Sequence, residues 1–163
     1  STVYSQERAL DSLKAILQNP KVHDTTKLDA LAGMLDLTFY KSPEAKQYNN
    51  RLGILASNNL KQDELNPVLR SAYLKYLAMY YHNLGTFEES AQSNVYLDRS
   101  IRISKSIGNY DEVYGTYIIK GGNYTAIGDQ YNAIQSLFKA LKYFEQKKND
   151  EHIPFIYFEG YIF

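Results

Sequence analysis

The spacing Tyr117-x3-Gly121-x2-Tyr124-x3-Gly128-Asp129-x3-Ala133-x6-Ala140 decides how this chain is read. Apolar and small residues recur at three- and four-residue intervals on either side of Gly128-Asp129, which predicts two helices joined by a tight turn. Gly121, Ala133 and Ala140 stand where two helix backbones must approach closely, with aromatic residues filling the gaps between them. Asp129 supplies an N-cap for the second helix, which runs through Ile134, Leu137, Phe138, Leu141 and Phe144.

Working back from this stretch, Asn109-x-x-Glu112 reads as the cap of its first helix. Before that, Asn66-Pro67 opens a helix carrying Leu69, Leu74, Leu77, Ala78 and Tyr81, expected to stop at Gly85. Thr86-x-x-Glu89 reads as a capping box, and an extended turn is expected around residues 88–92. A partner helix then carries Val95, Leu97, Ser100, Ile101, Ile103 and Ile107 and ends at Gly108. Gly85 and Gly128, both read as turn glycines, lie 43 residues apart.

Further upstream, Ser42-Pro43 combines a capping hydroxyl with a proline at the first helical position, where the missing N–H costs nothing. The helix after it runs through Ala45, Tyr48, Leu52 and Leu55 to about Asn58. Asp24-Thr25 is expected to cap the helix before it, which carries Leu28, Leu31, Ala32, Leu35 and Phe39, with Gly33 in a small-residue place. A first helix over about Gln6–Gln18, with Ala9, Leu10, Leu13, Ile16 and Leu17 in a stripe, ends at Asn19-Pro20.

Composition limits the function classes. Lys plus Arg and Asp plus Glu number 18 each, so the chain lacks the basic footprint of a general nucleic-acid binder. Hydrophobic content of 44% with 22% charged residues is that of a folding chain, and 163 residues can bury a single core. Cysteine is absent, which removes disulfides, thiolate metal sites and cysteine nucleophiles together. No apolar run reaches the length of a membrane span. Sixteen tyrosines against no tryptophan suits half-buried helix interfaces, where the ring packs and the hydroxyl reaches water.

The small and aromatic residues of 117–140 resemble the tetratricopeptide repeat, a helix–turn–helix unit of ~34 residues. The resemblance implies an all-α, right-handed α-solenoid of antiparallel helix pairs. Its divisions would be an N-terminal capping helix over 1–22, a degenerate repeat over 24–60, a repeat over 66–108, the best-matching repeat over 109–149 and a truncated repeat over 150–163. Two departures stand out: Lys120 occupies a usual leucine position, and Ser93 and Ser100 replace the usual alanine pair. Asp11-Ser12-Leu13-Lys14, Asp24-Thr25-Thr26-Lys27-Leu28 and Ser42-Pro43-Glu44-Ala45 resemble the opening of exported sensor regions in bacterial two-component histidine kinases and related regulators. That likeness implies a periplasmic location in preference to a cytoplasmic one.

Little in the chain points to catalysis. His23, His82 and His152 lack the paired spacing of helical metal ligands. No nucleophile elbow, phosphate loop or dinucleotide fingerprint is present, and the carboxylate pairs sit at helix N-termini, where the helix dipole accounts for them. The expectation is a non-enzymatic module without metal or cofactor, binding a protein or peptide partner and neither nucleic acid nor membrane. A stand-alone scaffold for complex assembly is the alternative. Family resemblance implies a concave groove lined by Lys75, Tyr76, Met79, His82 and Asn83, then by Ile118, Ile119, Gly122, Thr125 and Ala126. Gly160 and Phe163 repeat the offset of Gly121 and Tyr124, so the chain ends halfway through a repeat. Further repeats are expected to follow, and a chain ending here is expected either to self-associate into a homodimer through Tyr157, Phe158, Tyr161 and Phe163, the first three of which also fall on the groove face, or to fold that last helix back.

Overall fold

A computed structural model describes residues 2–88, 91–147 and Ile156. Among them are seven helices and no strand: α1 Thr2–Gln18, α2 Asp24–Leu37, α3 Pro43–Asn59, α4 Pro67–Phe87, α5 Ala91–Ser106, α6 Tyr110–Ala126 and α7 Gln130–Lys147. Consecutive helices pack on each other: α1 on α2, α2 on α3, α5 on α6 and α6 on α7. The chain divides into two compact units, Ser1–Tyr80 and Tyr81–Phe163, with α4 contributing residues to both.

In the first unit, the buried residues of α3 are Ala45, Asn49, Leu52, Gly53, Ala56 and Asn59, which fall on one helical face. Of these, Leu52 and Ala56 meet Leu28 and Leu31 of α2 and Tyr73 and Tyr76 of α4 in one apolar cluster. Full burial of a leucine contributes roughly 1.5–3 kcal/mol, so this cluster is the main stabilising feature of the unit. Two buried asparagines tie helices together. Asn49 Nδ2 donates to the Tyr80 carbonyl at 3.1 Å, and Asn59 Nδ2 donates to Asp24 Oδ2 at 2.9 Å. The Asn59 bond, joined by Lys27, holds the Asp24 carboxyl below its ordinary range against a desolvation cost. Helix α1 closes one side, with Gln6 Nε2 donating to the Leu37 carbonyl at 2.5 Å and Leu13 packed where Gly33 has no side chain.

Several helix ends differ from their sequence reading. The N-cap of α2 is His23, whose Nδ1 accepts from the Thr25 amide at 3.2 Å, and Asp24 is the first helical residue. An imidazole nitrogen reaches the same orphan donor as a carboxylate one residue earlier. Ser42 caps α3 as expected, its Oγ accepting from the Ala45 amide at 3.1 Å. Asn109 precedes α6 but makes no side-chain cap hydrogen bond. Helix α4 does not stop at Gly85. It continues to Phe87, and Thr86 Oγ1 donates back to the His82 carbonyl at 2.6 Å inside the helix; Glu89, the other half of the expected capping box, lies outside the described residues. Helix α5 begins at Ala91, so residues 91 and 92 belong to it rather than to an extended turn.

The role of Gly85 changes with this boundary. A Cβ on Gly85 would stand 2.5 Å from Leu97 Cγ and Cδ2, and one on Gly121 would stand 2.6 Å from Leu137 Cγ. Gly85 is therefore the counterpart of Gly121, a mid-helix glycine that lets the following helix approach, and the two lie 36 residues apart. The turn glycines are Gly108 and Gly128, at φ +71° and +77°. At each, the next residue's amide reaches back five residues and the glycine amide reaches back three. Asn109 N donates to Ser104 O at 2.9 Å, Gly108 N to Lys105 O at 3.1 Å, Asp129 N to Tyr124 O at 2.9 Å and Gly128 N to Thr125 O at 3.0 Å. These are paired Schellman closures, and Asp129 Oδ1 then caps α7 by accepting from the Asn132 amide at 3.2 Å.

Ser93, where the resemblance led to an expectation of alanine, has identifiable partners. Its hydroxyl donates to the Gly85 carbonyl and accepts from Asn123 Nδ2, linking α4, α5 and α6. Ser100 and Ser104 are buried on the same helix, and among the described residues their hydroxyls have no hydrogen-bond partner. Lys120 sends its ammonium to Asp98 at 2.5 Å while its side chain is mostly covered, as a snorkelling lysine does.

Candidate partner-binding cleft

The second unit holds a cleft of about 410 Å³ lined by His82, Asn109, Asp111, Glu112, Gly115, Ile118 and Ile119. It is built from the last turns of α4 and the first half of α6. Asp111 and Glu112 stand in the first turn of α6, where negative charge favours the positive end of the helix dipole. Ile118 is buried in the apolar cluster of this unit with Leu137, Ala140, Phe144 and Ile156, so one wall of the cleft is continuous with the core. Nothing among the neighbouring elements lies within 4 Å of where a Gly115 Cβ would be, which leaves room in the cleft beside this helical residue.

The polar side is organised around His82. Its Nδ1 is 3.0 Å from Glu112 Oε1 and 2.9 Å from Thr116 Oγ1, while Thr116 Oγ1 is 3.4 Å from the same carboxylate oxygen. The Thr116 hydroxyl donates to the Glu112 carboxylate, so toward His82 it is the acceptor, and in the neutral ring Nδ1 carries the proton and donates it to Thr116 Oγ1. Nε2 is then the acceptor left to the ring, and among the described residues it makes no hydrogen bond. Asp111 is used differently. It accepts from the Tyr143 hydroxyl at 2.8 Å and from Lys147 Nζ at 2.5 Å, pinning the start of α6 to the end of α7. The bond to Asp111 raises the Tyr143 hydroxyl pKa above its usual range and does the same for the Lys147 ammonium. Tyr143 also stacks on Tyr114, with ring centroids 4.2 Å apart.

Of the residues expected in a groove, His82, Ile118 and Ile119 line this cleft. Asn83, Gly122 and Thr125 are half-buried on the same two helices, with Thr125 Oγ1 donating to the Gly121 carbonyl at 3.0 Å, and Ala126 is exposed. The three residues of the first unit divide. Tyr76 is a core side chain, 5% exposed, donating its hydroxyl to Asp29; burial and that bond raise its pKa. Met79 packs half-buried against the same cluster, and Lys75 is exposed with its ammonium 5.3 Å from the Tyr76 ring. The helical phase that points Tyr76 inward follows from its neighbours Tyr73 and Tyr80, which pack against α2 and α3. Tyr157, Phe158, Tyr161 and Phe163 lie outside the described residues.

Sequence reasoning missed Asn109, Asp111, Glu112 and Gly115 as cleft residues. Asp111 and Glu112 carried a local explanation as helix-start charges, and that explanation holds. Their pairing with His82, Tyr143 and Lys147 spans about thirty residues of sequence and has no local signature. Among the described residues, no cluster of three or more histidine or carboxylate side chains has a metal-binding arrangement, and no helix is long and apolar enough to cross a membrane. The chain matches no protein-family model, no curated protein and no solved structure.

Proposed function

We propose that this chain is a tetratricopeptide-like array of antiparallel helix pairs, wound as a right-handed solenoid, that binds a segment of another protein. The observation that carries the reading is the His82 cleft. It joins an apolar wall, room beside Gly115 and an unoccupied imidazole acceptor, a combination suited to a peptide N–H donor next to one apolar side chain. The recurrence of one glycine–leucine contact, Gly85 with Leu97 and Gly121 with Leu137, supports the repeat architecture. The likeness of residues 11–14, 24–28 and 42–45 to two-component sensor regions supports the narrower reading of an interaction module in bacterial signal transduction.

The test is selection from a random peptide display library on the immobilised protein, with the binders mapped by amide NMR shifts. Shifts at His82, Gly115 and Ile119 are expected. A Gly115→Leu variant fills the cleft, suits the helix and is expected to abolish binding without loss of helicity. Binding that maps elsewhere, or survives that substitution, overturns the assignment.

A further inference from the structure

The geometry points to a second binding site, in the first unit, for a protein segment in which acidic side chains flank a leucine- or phenylalanine-type residue. The site is a separate cleft of about 270 Å³ between α1, α2 and α3. Leu17, Leu31 and Leu55, one from each helix, contribute its apolar lining. Ile54 stands beside them 62% exposed, an aliphatic side chain that no part of the described chain covers.

The polar side chains that line this cleft, Arg51, Lys27 and Asn58, all carry donors, and none of them is a carboxylate. Arg51 lines it, is exposed, and makes no hydrogen bond, ion pair or ring contact among the described residues. Lys27 lines it too, and pairs with Asp24 at 3.0 Å. Asp24 is not turned toward Arg51 as a counter-ion. One of its oxygens is held by Lys27 and the other by Asn59. Asn58, the remaining lining residue, has its carbonyl oxygen accepting from Lys61 Nζ at 3.1 Å, which leaves its amide N–H groups for a ligand. No carboxylate lines the cleft. An unpaired guanidinium beside an uncovered apolar wall is complementary to a carboxylate beside an apolar side chain, and a guanidinium engages both carboxylate oxygens at once.

Two other occupants fit less well. A fatty carboxylate would leave much of its chain wet, because the wall at Ile54 is itself mostly in water. A docked protein segment covers that wall with its own neighbouring residues. A second copy of this chain has an exposed apolar face at Tyr131, Ile134 and Phe138 on α7. Lys139 and Lys142 flank Phe138 there, however, and would set like charge against Arg51.

The probes are two N-acetylated, C-amidated tetrapeptides, glutamate–leucine–phenylalanine–glutamate and its lysine-flanked counterpart, with octanoate as a third. Each is titrated onto methyl-labelled protein and followed by NMR. The acidic peptide is expected to shift the methyls of Leu17, Leu31, Ile54 and Leu55 and to weaken with added salt. Arg51→Gln is expected to lower its affinity about two- to fivefold, the range of one exposed ion pair. Arg51→Glu, on an exposed residue that the fold does not use, is expected to reverse the preference toward the lysine-flanked peptide. Equal binding of both peptides by the wild type, stronger binding of octanoate, shifts confined to other residues, no binding at all, or an unreversed preference in Arg51→Glu would each overturn the proposal. The His82 cleft is read by different resonances, so either site can fail alone.

Discussion

Replacing Gly85 by alanine tests whether this glycine is a close-packing residue. The new methyl carbon would lie 2.5 Å from two carbons of Leu97, a side chain 0% exposed, and 3.0 Å from the Ser93 backbone oxygen. Leu97 cannot swing into solvent, and the Ser93 carbonyl is fixed in α5, so α4 and α5 must separate or Leu97 must leave its rotamer. Overpacking of this kind costs about 1–3 kcal/mol, against a gain of up to about 1 kcal/mol from replacing glycine inside a helix. The expected net loss is about 1–2 kcal/mol. Gly115→Ala is the control, because it makes the same propensity gain with no atom within 4 Å and is expected to stabilise by up to about 1 kcal/mol. Urea unfolding followed by far-ultraviolet circular dichroism reads both. With a slope of about 2 kcal/mol per molar, Gly85→Ala is expected to lower the midpoint of the transition containing α5–α7 by roughly 0.5–1 M while Gly115→Ala raises it. A Gly85→Ala protein as stable as the wild type would refute the close-packing account, provided Gly115→Ala moves as stated.

Gly128 makes a different demand, on backbone conformation alone: at φ +77° with open space around it, Gly128→Ala is expected to cost about 1 kcal/mol while Gly128→Asn costs less, both read from the same unfolding curves. At two buried serines of α5 the signs should differ. Ser100→Ala removes a buried hydroxyl without a partner and is expected to stabilise by about 1 kcal/mol, whereas Ser93→Ala breaks the links to Gly85 and Asn123 and is expected to destabilise by a similar amount. Tyr76→Phe loses a bond to a carboxylate and is expected to cost about 1.5 kcal/mol. Since the Tyr76 pKa is raised in the folded state, its contribution is complete below the ordinary value of 10.0 and declines as pH rises beyond it, a decline Tyr76→Phe should lack. Asp24 is lowered from 3.8, so its contribution is present above that value and is lost as pH falls through the folded pKa. Asn59→Ala, which removes the largest cause of that shift, should flatten the stability–pH profile in that acid range.

Local chemistry made most helix boundaries readable from the chain itself. Ser42-Pro43, Asn66-Pro67 and the Gly108 and Gly128 stops depend on backbone groups within five residues, and each names its own partner in sequence. Where two readings satisfied local rules, the structure chose. Gly85 met the pattern of a turn glycine, and only the position of Leu97 on the next helix makes it a packing glycine. Thr86 met the pattern of a cap, yet it bonds within a helix that runs on.

The candidate site divides in the same way. Which helices carry His82, Ile118 and Ile119 followed from periodicity, which is a property of one segment. That Tyr76 turns into the core, that Thr116 and Glu112 meet the imidazole and that Arg51 makes no ion pair among the described residues depend on residues brought together across tens of positions. The sequence alone therefore determined the helical class and the spacing of its small and aromatic residues, because both arise from interactions within a turn or two. Side-chain partners and the two clefts belong to the tertiary structure, because relative helix rotation decides which charges and apolar faces meet, and no local pattern encodes that rotation.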